Sequence, residues 1–290
     1  MRDVLLVGMG FGQAVYMPVL KSMNFNVVTV DKYLPADFTT VEEAIAKHGK
    51  FNLVHICTPN NTHESITETV ADNARIIFVE KPGVSDSLSW FKLARKYPNT
   101  KVVMTKNNQY RNEINYFKQL AKVSNTVKIF WHNTNRIPKP GSWFTDKSQA
   151  FGGVSRDLMP HLLSYFTHFT DYKEAKKVLV DCKQRYTLDS IKSSNYGSVN
   201  KDGIYDVDDF CEIHFEFDNT KYILSADWAS NLGYDDISID FDGRRFELGL
   251  CPEEAYYKMI DTAVRNYYNN DYWENQLEQD VWIHRQLEVL

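Results

Sequence analysis

The first twenty residues constrain the fold more than any other stretch. Val4-Leu5-Leu6-Val7 is a short apolar run of strand type, Gly8-Met9-Gly10-Phe11-Gly12 follows at once, and a helical pattern then runs from Ala14 to Leu20. Strand, glycine turn, helix is the order in which a glycine signature carries meaning. The first glycine permits a tight turn, the second lets a pyrophosphate approach the backbone, and the helix N-terminus offers free N–H groups to that anion. The signature wants Gly or Ala five residues after Gly8, where this chain has Gln13. Gly12 and Ala14 flank it and can supply the close helix–strand packing instead. The competing reading is an ordinary βα turn. The next strand-like run, Asn26-Val27-Val28-Thr29-Val30, ends in Asp31, 23 residues after Gly8. An acid about 20 residues on is where a dinucleotide fold places its partner for the ribose hydroxyls. Lys32 follows and can accept a 2′-phosphate, so NAD and NADP both stay open.

From residue 1 to about 120 the pattern alternates. Helical stretches at 39–48, 63–72, 85–96 and 109–123 separate strand-like runs at 51–57, 75–79 and 101–105, and Thr40 and Glu43 stand at capping-box spacing. Such alternation implies right-handed βαβ units and a doubly wound parallel sheet, an α/β architecture whose ligands bind beyond the carboxyl ends of the strands. The loops to search are therefore 8–12, 31, 58–60, 80–82 and 106–111. Beyond residue 124 the pattern changes. A strand at 127–131, a Pro/Gly loop and a helix at 157–169 come first. A strand at 177–180 and a polar loop at 190–206 precede antiparallel-type strands at 210–217, 222–228, 237–241 and 245–248, with Asp242-Gly243 as a hairpin turn. Residues from 253 onward are helical in composition. The expected division is 1–120 and 121–290, the second an α+β domain.

Bulk properties remove several classes. At 290 residues, 43% hydrophobic and 24% charged, the chain suits one large or two ordinary folded domains rather than a disordered one. A net charge of −5 argues against general nucleic-acid binding. No apolar run approaches the ~20 residues of a membrane span. Cys57, Cys182, Cys211 and Cys251 fall in no metal or redox spacing, and their simplest reading is incidental thiols of a reduced, cytoplasmic protein without a metal site.

Three segments carry chemistry. Thr58-Pro59-Asn60-Asn61-Thr62-His63 follows a buried-type strand, where polar residues reach a dinucleotide, although helix capping by Asn61 or Thr62 explains half of it. Glu80-Lys81-Pro82 fixes a lysine at a strand end, and the proline restricts Lys81 to extended geometry. A cation there can stabilise alkoxide character during hydride transfer, while a surface pair with Glu80 is the bland alternative. In Gly152-Gly153-Val154-Ser155-Arg156-Asp157-Leu158-Met159-Pro160-His161, Asp157 and His161 are four apart and share a helix face if one helix spans them. A carboxylate beside an imidazole suits a general base. Asp157 as an N-cap, or His161 as a core histidine, competes.

A glycine turn, Thr-Pro-Asn-x-x-His, Glu-Lys-Pro and Gly-Gly-x-x-x-Asp-x-x-x-His, in this order, together with Asp206-x-Asp208-Asp209 and Ser225-Ala226-Asp227-Trp228, resemble the glucose–fructose oxidoreductase and inositol dehydrogenase family of NAD(P)-dependent sugar and polyol dehydrogenases. The resemblance implies an N-terminal Rossmann domain and a C-terminal domain built on a large, mostly antiparallel open sheet that commonly forms a homodimer or homotetramer interface. It implies that Lys81 contacts the substrate oxygen, that His161 is the general base and that Asp157 orients it. The candidate cofactor-binding residues are Gly8, Gly10, Phe11, Gly12, Gln13, Asp31, Lys32, Thr58, Pro59, Asn60, His63, Glu80 and Lys81. The implied reaction is hydride exchange between a nicotinamide cofactor, NAD or NADP, and a carbinol of a sugar, sugar derivative or cyclic polyol. A non-catalytic dinucleotide-binding or redox-sensing protein of the same fold is the alternative, and a biliverdin-reductase type fits less well because of Lys81. Gln13 and Phe144 depart from the family pattern.

Overall fold

A computed structural model describes Asp3–Glu288. The chain divides into two compact units. The first begins with β1 (Asp3–Val7), α1 (Met17–Ser22), β2 (Asn26–Val30), α2 (Val41–His48), β3 (Phe51–Ile56), α3 (His63–Val70), β4 (Ala74–Val79), α4 (Ser87–Lys96) and β5 (Lys101–Met104). Its five strands are all parallel, in the order β2-β1-β3-β4-β5. Strands covered on both faces read as unbroken apolar runs, which is why Val4 to Val7 and Ile76 to Val79 are buried without alternation. The strand order reverses between β1 and β3, so the loops after those two strands flank the crevice where an open α/β sheet binds its ligands. The Thr40–Glu43 capping box forms as expected, and α4 is capped by Asp86, whose Oδ1 accepts the Ser89 N–H at 2.8 Å.

The second unit holds α5 (Ile114–Ala121), β6 (Thr126–His132), α6 (Lys147–Ala150), α7 (Val154–Asp157), α8 (Met159–Phe169), β7 (Lys176–Lys183), β8 (Phe210–Phe217), β9 (Thr220–Asp227), β10 (Asp236–Phe241) and β11 (Arg244–Glu247). Its six strands run in the order β11-β10-β6-β9-β8-β7, antiparallel except for the β6–β9 pair. Val127, Ile129 and Trp131 are buried while Lys128, Phe130 and His132 are half-buried, the period-2 signature of a sheet with one covered face. On that covered face Phe166 of α8 stacks on Phe215 at 4.5 Å and meets Tyr222 edge-on at 5.0 Å. Asp242 and Gly243 both take positive φ, as a two-residue hairpin turn requires. Cys182 and Cys211 stand directly opposite each other on β7 and β8 and are bonded, so the reading of four incidental thiols does not hold for this pair; partners 29 residues apart become neighbours only through strand register.

The domain boundary differs from the one expected at residue 120. The first unit is Met1–Tyr110 together with Pro252–Glu288, which form α9 (Glu253–Arg265) and α10 (Asn270–Leu287). The reason is polar as well as apolar. Asp280 of α10 is fully buried and takes both the Lys106 ammonium and the Met104 N–H. Helical periodicity shows that a face is buried but not what it is buried against. No helix among the described residues is long and apolar enough to cross a membrane.

Candidate active site

The glycine turn after β1 divides three tasks among three glycines. Gly8 has φ +93°, and an added Cβ would lie 2.5 Å from the Cys57 carbonyl oxygen, so the loop closes only around a residue without a side chain. Nothing lies within 4 Å of a Cβ built on Gly10, which leaves the open approach a pyrophosphate needs. A Cβ on Gly12 would meet Leu6 Cδ1 at 3.1 Å, so Gly12 provides the tight helix–strand contact. The helix opens with a π turn over Gly12–Tyr16 before α1. A π turn holds about one residue more than an α turn. That extra residue offsets a third glycine placed one position early, and Gln13 is left exposed beside it. Phe11 is exposed too, edge-on to Tyr16.

Asp31 closes this turn from β2. Its Oδ2 accepts the Met9 N–H at 2.7 Å, and its Oδ1 accepts the Tyr33 and Leu34 N–H groups, each at 2.8 Å. Partial burial alone would raise the carboxyl pKa, but the three backbone N–H bonds outweigh it and hold the group below the usual carboxylate value. A carboxylate has about four acceptor positions, so one remains on Oδ2 for a further donor. Lys32 is exposed, its ammonium 5.3 Å above the Tyr33 ring.

Thr58, Pro59 and Asn60 follow β3 beside Gly8, where Thr58 Cγ2 is 3.1 Å from the position of an added Cβ. The Thr58 and Thr62 hydroxyls are 2.7 Å apart, and Thr62 also donates to the Pro59 carbonyl at 2.6 Å. His63 corrects the expectation that it faces a cofactor. It is fully buried, with both ring nitrogens against backbone carbonyls, Nδ1 2.7 Å from Gly83 O and Nε2 2.9 Å from Thr58 O.

Glu80, Lys81 and Pro82 follow β4. The Glu80 N–H extends the ladder to Ile56 O at 2.9 Å, and the Lys81 N–H donates to Thr105 Oγ1 at 3.3 Å. Tyr16, fully buried at the end of the π turn, donates to Glu80 Oε1 at 2.5 Å, which ties the glycine-loop helix to the Lys81 segment. Burial pushes the Glu80 carboxyl up, although Tyr16, Lys81 and Thr105 pull against it. Sequence reasoning missed Tyr16; no local pattern separates a core tyrosine from one bonded to a distant acid.

In the second unit, Asp157 and His161 do not share one helix. Asp157 ends α7, Leu158 breaks it, and His161 lies in α8. Pro160 lacks an N–H and crowds the carbonyl four residues before it, so a continuous helix cannot pass. Two tryptophans, one on β6 and one directly after the adjacent parallel strand β9, set the pair instead. Trp131 stacks on the His161 ring at 5.1 Å, and Trp228 donates Nε1–H to Asp157 Oδ2 at 2.9 Å. His132 is on the opposite face of β6, 3.0 Å from Ser225 Oγ. The Asp206-x-Asp208-Asp209 segment proves architectural. Asp208 accepts the Gly153 and Ser155 N–H groups at 2.9 and 2.7 Å, starting α7. Asp209, fully buried, accepts from Arg185 Nε and from the Arg185 and Tyr186 N–H groups.

Residues 2–107 match the model of an oxidoreductase family with an NAD-binding Rossmann fold, and residues 123–248 match the GFO/IDH/MocA C-terminal domain. A protein of Amycolatopsis mediterranei, named for a UDP-kanosamine synthase oxidoreductase subunit, is 24% identical over 54% of this chain and 49% of its own length. The chain thus aligns with about half the length of that curated relative. GenD2 from gentamicin A biosynthesis, solved with NAD, superposes with a TM-score of 0.76 at 19% identity over 99% of this chain and 92% of its own. Levoglucosan dehydrogenase, solved with NADH and levoglucosan, gives 0.69 at 15% identity over 97% and 94%. With both halves matched in order and the glycine turn, Asp31 and the open six-stranded sheet in place, the chain belongs to the GFO/IDH/MocA family of NAD-binding oxidoreductases.

Proposed function

We propose that this protein is a dehydrogenase that exchanges a hydride between nicotinamide and a carbinol carbon of a sugar, sugar derivative or cyclic polyol. What carries the reading is the cradle formed by Gly8, Gly10, Gly12 and Asp31, with a lysine fixed at the end of β4 in the same unit. Gly10 and the helix start hold the pyrophosphate; Asp31, Thr58 and Asn60 hold the adenosine ribose and the strand-end face of the cofactor. Bound NAD supplies the hydride acceptor. In the direction of oxidation the C–H electron pair leaves with the hydride, the hydroxyl proton passes to His161, and a carbonyl remains. Lys81 holds the substrate oxygen and favours its alkoxide character, and Asp157 supports the imidazolium. The ionised Asp31 repels a 2′-phosphate, so NAD is preferred over NADP. The uncovered face of the six-stranded sheet, with Phe130, His132 and His214 half-buried on it, is the proposed homodimer or homotetramer surface; a monomer by light scattering would refute that part.

The test is NADH and NADPH titration by nicotinamide fluorescence, followed by turnover on a panel of sugars and polyols. Lys81→Ala and His161→Ala should each lower turnover by about 100-fold or more with NADH affinity nearly intact. Unchanged turnover in both variants refutes the assignment.

A further inference from the structure

The turn that carries Lys81 is gripped two residues later by two buried histidines. The Gly83–Val84 peptide has its carbonyl 2.7 Å from His63 Nδ1 and its N–H 3.2 Å from His284 Nε2. One rigid peptide plane is therefore held at both ends, from α3 on one side and α10 on the other. Both histidines have 0% of their surface exposed. His284 is fixed in its role, because its Nδ1 donates to the Asp280 carbonyl at 2.7 Å and leaves Nε2 as the acceptor for Val84. It also lies against Gly83, where an added Cβ would sit 2.5 Å from Nε2, at φ +82°. His63 reaches further. Its other nitrogen faces Thr58 O at 2.9 Å, in the loop after β3. The ladder between β3 and β4 ends with Glu80 N–H to Ile56 O, and His63 spans the two loops beyond that point.

We propose that His63 and His284 are positioning residues for Lys81: they hold the two ends of the Gly83–Val84 peptide and so fix the turn that carries the lysine. The proposal rests on the catalytic reading of Lys81 given above. Carbonyl oxygens only accept, so each tie requires a proton on the nitrogen concerned. Burial lowers the His63 pKa and favours the neutral ring, which has one N–H where the imidazolium has two. The shorter contact is at Nδ1, so the ring carries its proton there and holds Gly83, while Nε2 only faces Thr58 O.

Asparagine reproduces the donor of His Nδ1 and glutamine that of Nε2, so two conservative variants separate the two positions. His63→Gln moves the donor towards Thr58 and releases Gly83. It should lower kcat on a substrate of the panel by about tenfold to 100-fold, with the NADH dissociation constant within about threefold of wild type. His63→Asn keeps the donor to Gly83 and should retain both kcat and the NADH dissociation constant within about threefold. Equal losses of kcat in the two variants, or wild-type kcat in His63→Gln, overturn the proposal. Imidazole nitrogen NMR of the intact wild-type protein decides it independently of folding and activity in the variants. A proton on His63 Nδ1 at neutral pH supports the tie, and an unprotonated Nδ1 overturns it. If wild type turns over no panel member, the catalytic reading of Lys81 falls, and the NMR result alone judges the tie.

Discussion

His55 lies in the middle of β3, fully buried, with its ring stacked 4.7 Å from Phe78 and 4.5 Å from Tyr16. Neither ring nitrogen has a hydrogen-bond partner among the described residues. Burial lowers its pKa to about 3. The unfolded chain binds a proton near pH 6.5, so the fold favours the neutral ring. Its contribution to stability is complete above that pH and is lost as pH falls towards about 3. Each pH unit in that window costs about 1.36 kcal/mol, hence about 2.7 kcal/mol by pH 4.5. His55→Phe keeps an aromatic ring between Tyr16 and Phe78, removes two unpaired nitrogens and abolishes this titration. Packing a larger ring costs about 1–3 kcal/mol, and deleting the unpaired groups returns a similar amount. Those two effects are the same at every pH. The stability difference between variant and wild type should therefore widen by about 2.7 kcal/mol in favour of the variant from pH 7.5 to 4.5. For a chain of this size that is about 5–10 °C in Tm. Melts of both proteins followed by circular dichroism across that range give the number. A difference that stays constant with pH would mean that His55 does not enter the fold as a neutral, unpaired ring.

Other consequences are as direct. Gly8→Ala places a methyl group 2.5 Å from the Cys57 carbonyl at φ +93°; Tm should fall and NADH affinity drop by about tenfold or more, and wild-type NADH binding would show that the turn needs no glycine. Asp280→Ala leaves the buried Lys106 ammonium without its partner and should cost about 3–5 kcal/mol, whereas Lys106→Met combined with Asp280→Leu should recover most of it; an equal loss in the double variant contradicts this in urea titrations. Asp31→Ser removes the carboxylate proposed to hold the adenosine ribose, and the ratio of NADPH to NADH dissociation constants should fall by about tenfold; an unchanged ratio assigns cofactor choice elsewhere.

The features legible in the sequence are those whose physics is local. The strand–glycine–helix opening, the Thr40–Glu43 box, the Asp242-Gly243 hairpin and the strand alternation each follow from a few neighbouring residues. Gln13 misleads because spacing alone assumes an α turn, while the chain uses a π turn and lets Gly12 do the packing. His63 misleads for a different reason. A histidine in a strand-end loop looks available, and only the approach of the Gly83 carbonyl from the next loop reveals that it is engaged. The settings of Asp157 by Trp228 and of His161 by Trp131 depend on the parallel β6–β9 pairing, which no local pattern encodes.

Residues 252–288 belong to the same compact unit as the first 110. The family matches end at residue 248, yet α9 and α10 complete the first unit. Tyr256 packs edge-on against Tyr16 at 5.4 Å, Asp280 neutralises Lys106, and His284 accepts the Val84 N–H and stacks on Trp90 at 5.0 Å. Each of these contacts lies behind a candidate residue rather than in front of it: Tyr256 behind the Tyr16–Glu80 bond, Asp280 behind the β5 end, His284 behind the Lys81 turn. A buried polar group in such a place is costly unless every partner arrives. The C-terminal helices supply those partners. A change in α10 that leaves its apolar face intact but removes His284 should therefore be felt at the Lys81 turn, and one that removes Asp280 at Lys106 and the end of β5.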